Sequence, residues 1–220
     1  MDKRMRTTII TPTVGTKKLQ QAIESVQNQT VPCKHIVVVD GKEHFMKAMK
    51  VFRITGFKGQ TLVLEENTGG KWAGYRWNGH RIYAGIPAMV NTDFVSFLDE
   101  DNWFEPDFVE KMQAQMGDNL VVTCRRKVHC GKYLGVDNFE SVGETDFGYC
   151  LYDTNTYLFN TVIYNKYFAR HFYYPLGADK LLSKAVIESE VPQVHIETPL
   201  VNYRAPKRLE EFFKLNCTKP

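Results

Sequence analysis

The sequence predicts an α/β protein: a mixed, mostly parallel sheet flanked by helices, in a single domain. Three observations predict it. Short apolar, β-branched runs alternate with stretches of helical periodicity, the pattern of right-handed strand–helix–strand crossovers. One run, His35 to Val39, is apolar almost throughout, as in parallel strands covered on both faces. The length of 220 residues suffices for one sizeable core.

The elements follow in order. Thr7 to Thr11 reads as a strand that stops at Pro12. Leu19, Ala22, Ile23 and Val26 recur at helical spacing, with Thr16 as the N-cap. His35 to Val39 forms a second strand ending at Asp40-Gly41, and Gln60 to Leu64 a third. After Gly69-Gly70 a helix is expected from about Gly74 to Val90. Phe94 to Leu98 is a fourth strand and runs straight into Asp99-Glu100-Asp101. A helix over Asp107 to Met116 follows Pro106, and Leu120 to Cys124 is another strand. Residues 129 to 150, rich in Gly, Asp, Tyr and Phe without periodicity, read as a long functional loop. Leu181, Leu182, Ala185 and Val186 mark a last helix from about Ala178 to Ser189.

Composition narrows the function classes. Apolar residues make up 43% and charged residues 24%, ordinary for a soluble protein, and the formal charge of +3 is too mild to argue for nucleic acid. The densest basic cluster, Arg125-Arg126-Lys127, reads as a solvated turn. Five cysteines with no CxxC pair argue against a disulfide framework or a zinc site and fit a reducing compartment. The basic start is followed by too short an apolar run for a signal peptide, and no run approaches the roughly 20 residues of a membrane span. A soluble, cytoplasmic protein is expected.

The chemistry gathers at strand ends. In an extended backbone Asp99 and Asp101 point the same way and Glu100 the other. Two carboxylates would then converge at the carboxyl end of a buried strand, where open α/β sheets bind ligands. Paired hard oxygen ligands suit Mg²⁺ or Mn²⁺ holding a diphosphate; the plainer reading is an acidic surface turn. Asp40 ends a second buried strand and could accept a nucleobase imide N–H, or serve only as a turn residue. Thr11-Pro12-Thr13 could lay backbone against a base. Asn67 and Gly69 lead toward the expected helix, whose free N–H groups would favour an anion, and Arg76 on that helix could reach a phosphate. Each signal is weak alone, but all fall at one edge of one sheet.

In sequence order, Thr-Ile-Ile-Thr11-Pro12-Thr13, Val-Val-Val-Asp40-Gly, Glu-Asn67-Thr-Gly69-Gly and Phe-Leu-Asp99-Glu100-Asp101-Asn resemble the family 2 glycosyltransferases of the GT-A fold. Arg76-x-Asn78-Gly79 is similar to another of that family's patterns, with Tyr75 where the family has Ala. The Pro-Thr-Val-Gly-Thr start and the aromatic-rich segment also resemble a glycosyltransferase domain of large chlorella viruses, which helps build capsid glycans in the host cytoplasm. The resemblance implies a UDP-sugar donor, with glucose or rhamnose favoured, a glycan or glycoprotein acceptor, and inversion at the anomeric carbon. It divides the chain into a nucleotide-sugar half, about 1–101, and an acceptor half, about 102–220. It assigns Asp40 to uracil, Asp101 to the metal (Mn²⁺ or Mg²⁺), and Asp99 to the metal through water or to the ribose. The catalytic base would be Asp179, which opens a late helix, with Ala178 standing where the family has Glu; Asp153 and Asp146 are the fallback bases. Trp103 would wall the donor sugar, and Arg204 would approach the diphosphate. His195, by contrast, reads as a satisfied strand histidine.

Two other functions compete. A sugar nucleotidyltransferase would need an early Gly-rich phosphate loop, where this chain has Thr-Pro-Thr-Val-Gly-Thr. A non-catalytic nucleotide-sugar or glycan-binding module would keep Asp40 and the Asp99/Asp101 pair without needing Asp179. Dehydrogenase and P-loop signatures are both missing.

Overall fold

A computed structural model of the chain describes residues 6–72, 75–76, 78–144, 150–174 and 177–218. Its centre is a mixed α/β sheet of ten strands. Strands β1 (Thr7–Thr13), β2 (Lys34–Val39) and β3 (Gln60–Val63) are linked by helices α1 (Leu19–Gln27) and α2 (Phe45–Thr55). A small hairpin, β4 (Lys71–Trp72) and β5 (Tyr75–Arg76), precedes helix α3 (His80–Gly85) and strand β6 (Phe94–Phe97). The chain continues through β7 (Trp103–Phe104), α4 (Phe108–Ala114), β8 (Val121–Cys130), β9 (Lys132–Asp137), β10 (Ser141–Glu144), β11 (Cys150–Tyr152) and β12 (Tyr157–Asn160). It ends with α5 (Thr161–Ile163), α6 (Ala178–Ile187), β13 (Gln193–Arg204), α7 (Glu210–Asn216) and β14 (Cys217–Thr218).

The central strands β3-β2-β1-β6 run parallel, and β12-β8-β9-β14 extend them antiparallel. Strand β13 lies parallel to β8 and also pairs with β7. The alternation of side chains along a strand decides the layers. Ile9 packs with Ala22, Phe108 and Met112 beneath α1 and α4, whereas Ile10 packs with Ile82, Phe97, Phe172 and Leu182 beneath α3 and α6. Val37 and Val39 face Leu19, Ile23, Ala48 and Phe52 of α1 and α2, and Val38 faces the other way. A sheet apolar on both faces is thereby buried on both. Helix α2 ends at Gly56, whose φ of 57° is left-handed and costs glycine nothing.

Four expectations need correction. The stretch from 74 to 90 is not one helix: the β4–β5 hairpin occupies its start, so Arg76 lies in a strand. Residues 129–150 are not a featureless loop, because β8, β9 and β10 continue through it. Arg125-Arg126-Lys127 is the middle of β8, and Arg126 is completely buried. Thr16 does not cap α1; its N–H donates to Glu100 Oε2 at 3.1 Å. Trp77 and Asp146 lie outside the described residues, as do the side chains of Arg76 and Trp72. Among the described residues no helix is long and apolar enough to cross a membrane.

Candidate active site

Parallel strands place their carboxyl ends on one edge, and there the structure has an open cleft of about 790 Å³. Its floor is Pro12 and Thr13 at the end of β1, Asp40 after β2, and Asp99 to Asn102 after β6. Asn67, Gly69, Asn78 and Gly79 form one wall, and the segment from Tyr203 to Lys207 the other. The strand ends thus converge as the sequence suggests, while the last wall comes from the far end of the chain.

The acidic triplet does not alternate as an extended strand would. β6 ends at Phe97, and the Asn102 N–H returns to the Asp99 carbonyl at 3.1 Å, making a turn in which each acid takes its own direction. Asp99 points inward: Tyr83 O–H donates to Oδ1 and Asn155 Nδ2 donates to Oδ2 at 2.9 Å. Burial, then the negative charge of Asp153, pushes the Asp99 pKa up to about 7. Glu100 accepts from Thr13 Oγ1 at 2.5 Å and so ties the turn to β1. Asp101 faces the cleft with 39% of its side chain exposed, and Lys18 Nζ lies 3.2 Å from its Oδ2.

Asp40 is 3% exposed and organises the neighbouring loop. Its Oδ1 accepts from Thr68 N at 2.7 Å and Thr68 Oγ1 at 2.9 Å, and its Oδ2 from Gly69 N at 3.0 Å. Asn67 Nδ2 closes the loop on the Asp40 carbonyl at 3.0 Å, leaving Asn67 Oδ1 buried without a partner. Glycine is required here, because a Cβ on Gly69 would strike the Asn78 carbonyl and one on Gly79 would strike the Pro12 ring.

Arg204 lines the cleft: Nε donates to the Asp101 carbonyl at 3.1 Å and Nη2 to Gln21 Oε1 at 2.6 Å. Trp103 sits behind it, with the guanidinium 5.1 Å above its ring and His129 at 4.7 Å, so it does not wall the cleft. Thr11 is also off the cleft, buried with its hydroxyl 2.9 Å from His35 Nε2. His195 is only half satisfied: Nδ1 meets Thr123 Oγ1 at 2.9 Å, and Nε2 is buried without a hydrogen bond.

Asp179 lies in the first turn of α6, after Gly177 at φ 67°, outside the lining of the cleft. The residue as a whole is exposed, but its carboxyl is crowded and accepts from Thr154 Oγ1 at 2.5 Å. Loss of hydration there raises its pKa, and the nearby charge of Asp153 adds to the rise. Tyr83 feels Asp99, Asp179 and Asp153 together, so the three carboxylates share one neighbourhood. Asp153 itself is committed elsewhere, with Oδ2 on Arg126 Nη1 at 2.5 Å and Oδ1 on the backbone N–H of Asn155 at 2.9 Å.

A divalent cation suits this edge in one way. Asp99 has a donor on each oxygen, whereas Asp101 presents a half-exposed carboxylate that, among the described residues, is held by an exposed lysine. Among the described residues no group of three or more His, Cys, Asp or Glu converges on one point. A Mg²⁺- or Mn²⁺-type ion resting on one carboxylate, with phosphate oxygens and waters completing its shell, fits that donor set. Sequence reasoning missed Tyr83, Asn155, Lys18 and Lys207. None stands in a spaced pattern, although Asp153-Thr154-Asn155-Thr156 carries a turn signature.

The sheet, its flanking helices and a cleft at the strand ends match a GT-A, Rossmann-like fold. Among solved structures, S. aureus TarS superposes with a TM-score of 0.67 at 16% identity, covering 94% of this chain and 38% of that one. The 1–349 piece of TarS in complex with UDP matches at 0.66 and 15% identity over 94% of this chain. The same piece in complex with UDP-GlcNAc matches at 0.64 and 17% identity over 92%. The chain spans 62% and 59% of the lengths in those two complexes. No protein-family model matches the sequence, and no curated protein does.

Proposed function

We propose that this protein is an inverting glycosyltransferase that moves a hexose or deoxyhexose from a UDP-sugar to a hydroxyl of a glycan or glycoprotein. The observation that carries the reading is the cleft at the ends of β1, β2 and β6, where Asp40, Asp99 and Asp101 meet Lys18, Arg204 and Lys207. An acidic edge ringed by cations suits a diphosphate and its counter-ion. Pro12, Thr13, Asn67 and Gly69 would seat the uridine, with the imide N–H on Asp40 Oδ2, which has one protein donor. Asp101 would hold Mn²⁺ or Mg²⁺, with Asp99 acting through water or on the ribose. When bound, such an ion neutralises charge developing on the leaving diphosphate.

The acceptor hydroxyl is a very weak acid, so its proton must leave as the bond to the anomeric carbon forms. Asp179 would take it, a contribution of roughly two to four orders of magnitude in rate. Its raised pKa makes it a stronger base than an ordinary carboxylate. The resemblance to chlorella-virus domains favours glucose or rhamnose as the sugar. The structures with UDP and UDP-GlcNAc belong to TarS, and they support a UDP-sugar without choosing among sugars. Incubating the protein with Mn²⁺, a glycan acceptor and a panel of UDP-sugars should release UDP and transfer sugar with opposite anomeric configuration, and EDTA should abolish it. A retained configuration, or binding with no turnover, defeats the reading; undiminished turnover in EDTA defeats its metal part alone.

A further inference from the structure

The carboxylates of the site are not held by the strands that bear them. Strand β12 runs antiparallel to both β6 and β8, so the residues before it lie beside the end of β6 and beside the middle of β8. Those residues are Asp153, Thr154 and Asn155, in a short turn; Thr154 is 4% exposed and Asn155 1%. Asn155 grips Asp99 at both ends: its Oδ1 accepts the Asp99 N–H at 2.6 Å and its Nδ2 donates to the carboxylate at 2.9 Å. Its neighbour Thr154 donates to Asp179 at 2.5 Å. Asp153 holds the turn from below, its Oδ1 accepting from Asn155 Nδ2 at 2.6 Å and its Oδ2 from Arg126 Nη1 at 2.5 Å. Arg126 is pinned in turn by Asp137 at 2.6 Å and Glu140 at 2.5 Å, and lies 4.0 Å above the Tyr203 ring.

We propose that Asp153-Thr154-Asn155, anchored on Arg126, is the positioning element of the reaction centre, with Asn155 setting Asp99 on the donor side and Thr154 setting Asp179 on the acceptor side. The proposal rests on the roles given above to Asp99 and Asp179. One rigid turn then fixes the spacing between donor and base, which an in-line displacement needs to within a fraction of an ångström. Neither Thr154 nor Asn155 lines the cleft. Both act through another residue.

The test uses the whole chain with UDP-sugar, Mn²⁺ and acceptor. Thr154→Val keeps the shape and deletes the donor to Asp179. It should lower kcat by about tenfold or more with UDP affinity unchanged. It should also move the acidic limb of the pH–rate profile upward, because a hydrogen bond that favours the carboxylate form is gone. Thr154→Ser should restore both. Asn155→Ala should instead raise the donor KM by about tenfold, since Asp99 loses its clamp. Melting temperatures report whether each variant folds. Normal kcat, KM and pH profile in both variants would overturn the proposal, as would losses that merely track a fall in folded protein. Asp179→Asn and Asp101→Ala run alongside as controls. If Asp179→Asn is inactive while Thr154→Val is normal, only the positioning role falls. If Asp179→Asn turns over normally, the base assignment falls and takes the Thr154 role with it.

Discussion

Replacing Arg126 with Met isolates the energetics of the buried charge cluster. The arginine has no exposed surface and pairs with three carboxylates: Asp137 at 0% side-chain exposure, Asp153 at 14% and Glu140 at 38%. Burial alone would lower its pKa, but those three carboxylates outweigh burial and raise it. In Arg126→Met, Glu140 can turn to water, whereas Asp137 cannot. Removing one partner of a buried ion pair costs about 3–5 kcal/mol, because an uncompensated charge stays behind. Against a total stability of roughly 5–15 kcal/mol that is a large share. For a chain of this size it corresponds to a fall in Tm of about 6–20 °C. Urea unfolding near neutral pH measures it, with Arg126→Lys as a milder control should Met prevent folding. Arg126→Met/Asp137→Asn should recover part of the loss, since the orphaned charge is gone. A loss under about 1 kcal/mol for Arg126→Met, or a double variant worse than the single, would refute the reasoning.

Three further outcomes follow. His35 is buried and held neutral, its pKa drawn down to about 3 by burial; unfolded, it takes a proton near pH 6.5, so its share of stability is present above that pH and lost as pH falls toward 3, at about 1.4 kcal/mol per unit. Urea titrations of the protein and of His35→Leu from about pH 7 to 4.5 should therefore diverge in slope, and parallel curves would remove His35 as the cause. Asp40→Ala should lower UDP affinity and narrow the preference for UDP over CDP by loosening Thr68 and Gly69 as well as losing the acceptor; calorimetry showing equal UDP and CDP affinity in the unaltered protein would leave Asp40 a loop anchor only. Gly79→Ala should weaken UDP binding by about tenfold while Gly117→Ala, where a Cβ meets nothing, leaves it unchanged; equal effects would show that the contact with Pro12 is immaterial.

Much of the cleft edge formed by β1, β2 and β6 was legible because its signals are local. Apolar β-branched runs ending at Asp40 and Asp99 mark the strands and the ends that line the cleft, whereas β1 runs on past the expected stop at Pro12 to Thr13. The corrections arose where a partner distant in sequence decides. Arg125-Arg126-Lys127 looks like surface until Asp137, Glu140 and Asp153 close around it. The alternation assumed for Asp99 and Asp101 fails because Asn102 turns the backbone back on Asp99. Trp103 reads as a sugar platform only when Arg204 is not known to cover it. Residues 129–150 hide strands because Gly131, Gly135 and Gly143 have positive φ and break the two-residue rhythm. Asn155 and Thr154 had no signature at all beyond a turn, since their role comes from β12 lying against β6.

The wall of the cleft that carries Arg204 has a consequence for synthesis. Arg204 reaches Gln21 across 183 positions of sequence, and its N–H reaches Asn102 across 102. Strand β13 takes its place against β8 and β7, both far from it in sequence. Pairings so distant are slow, since the chain must close large loops before any contact compensates. Asp40 and the acidic triplet therefore leave the ribosome well before the residues that wall their cleft. The cleft is complete only once β13 has docked, and the first hundred of these residues do not form it alone.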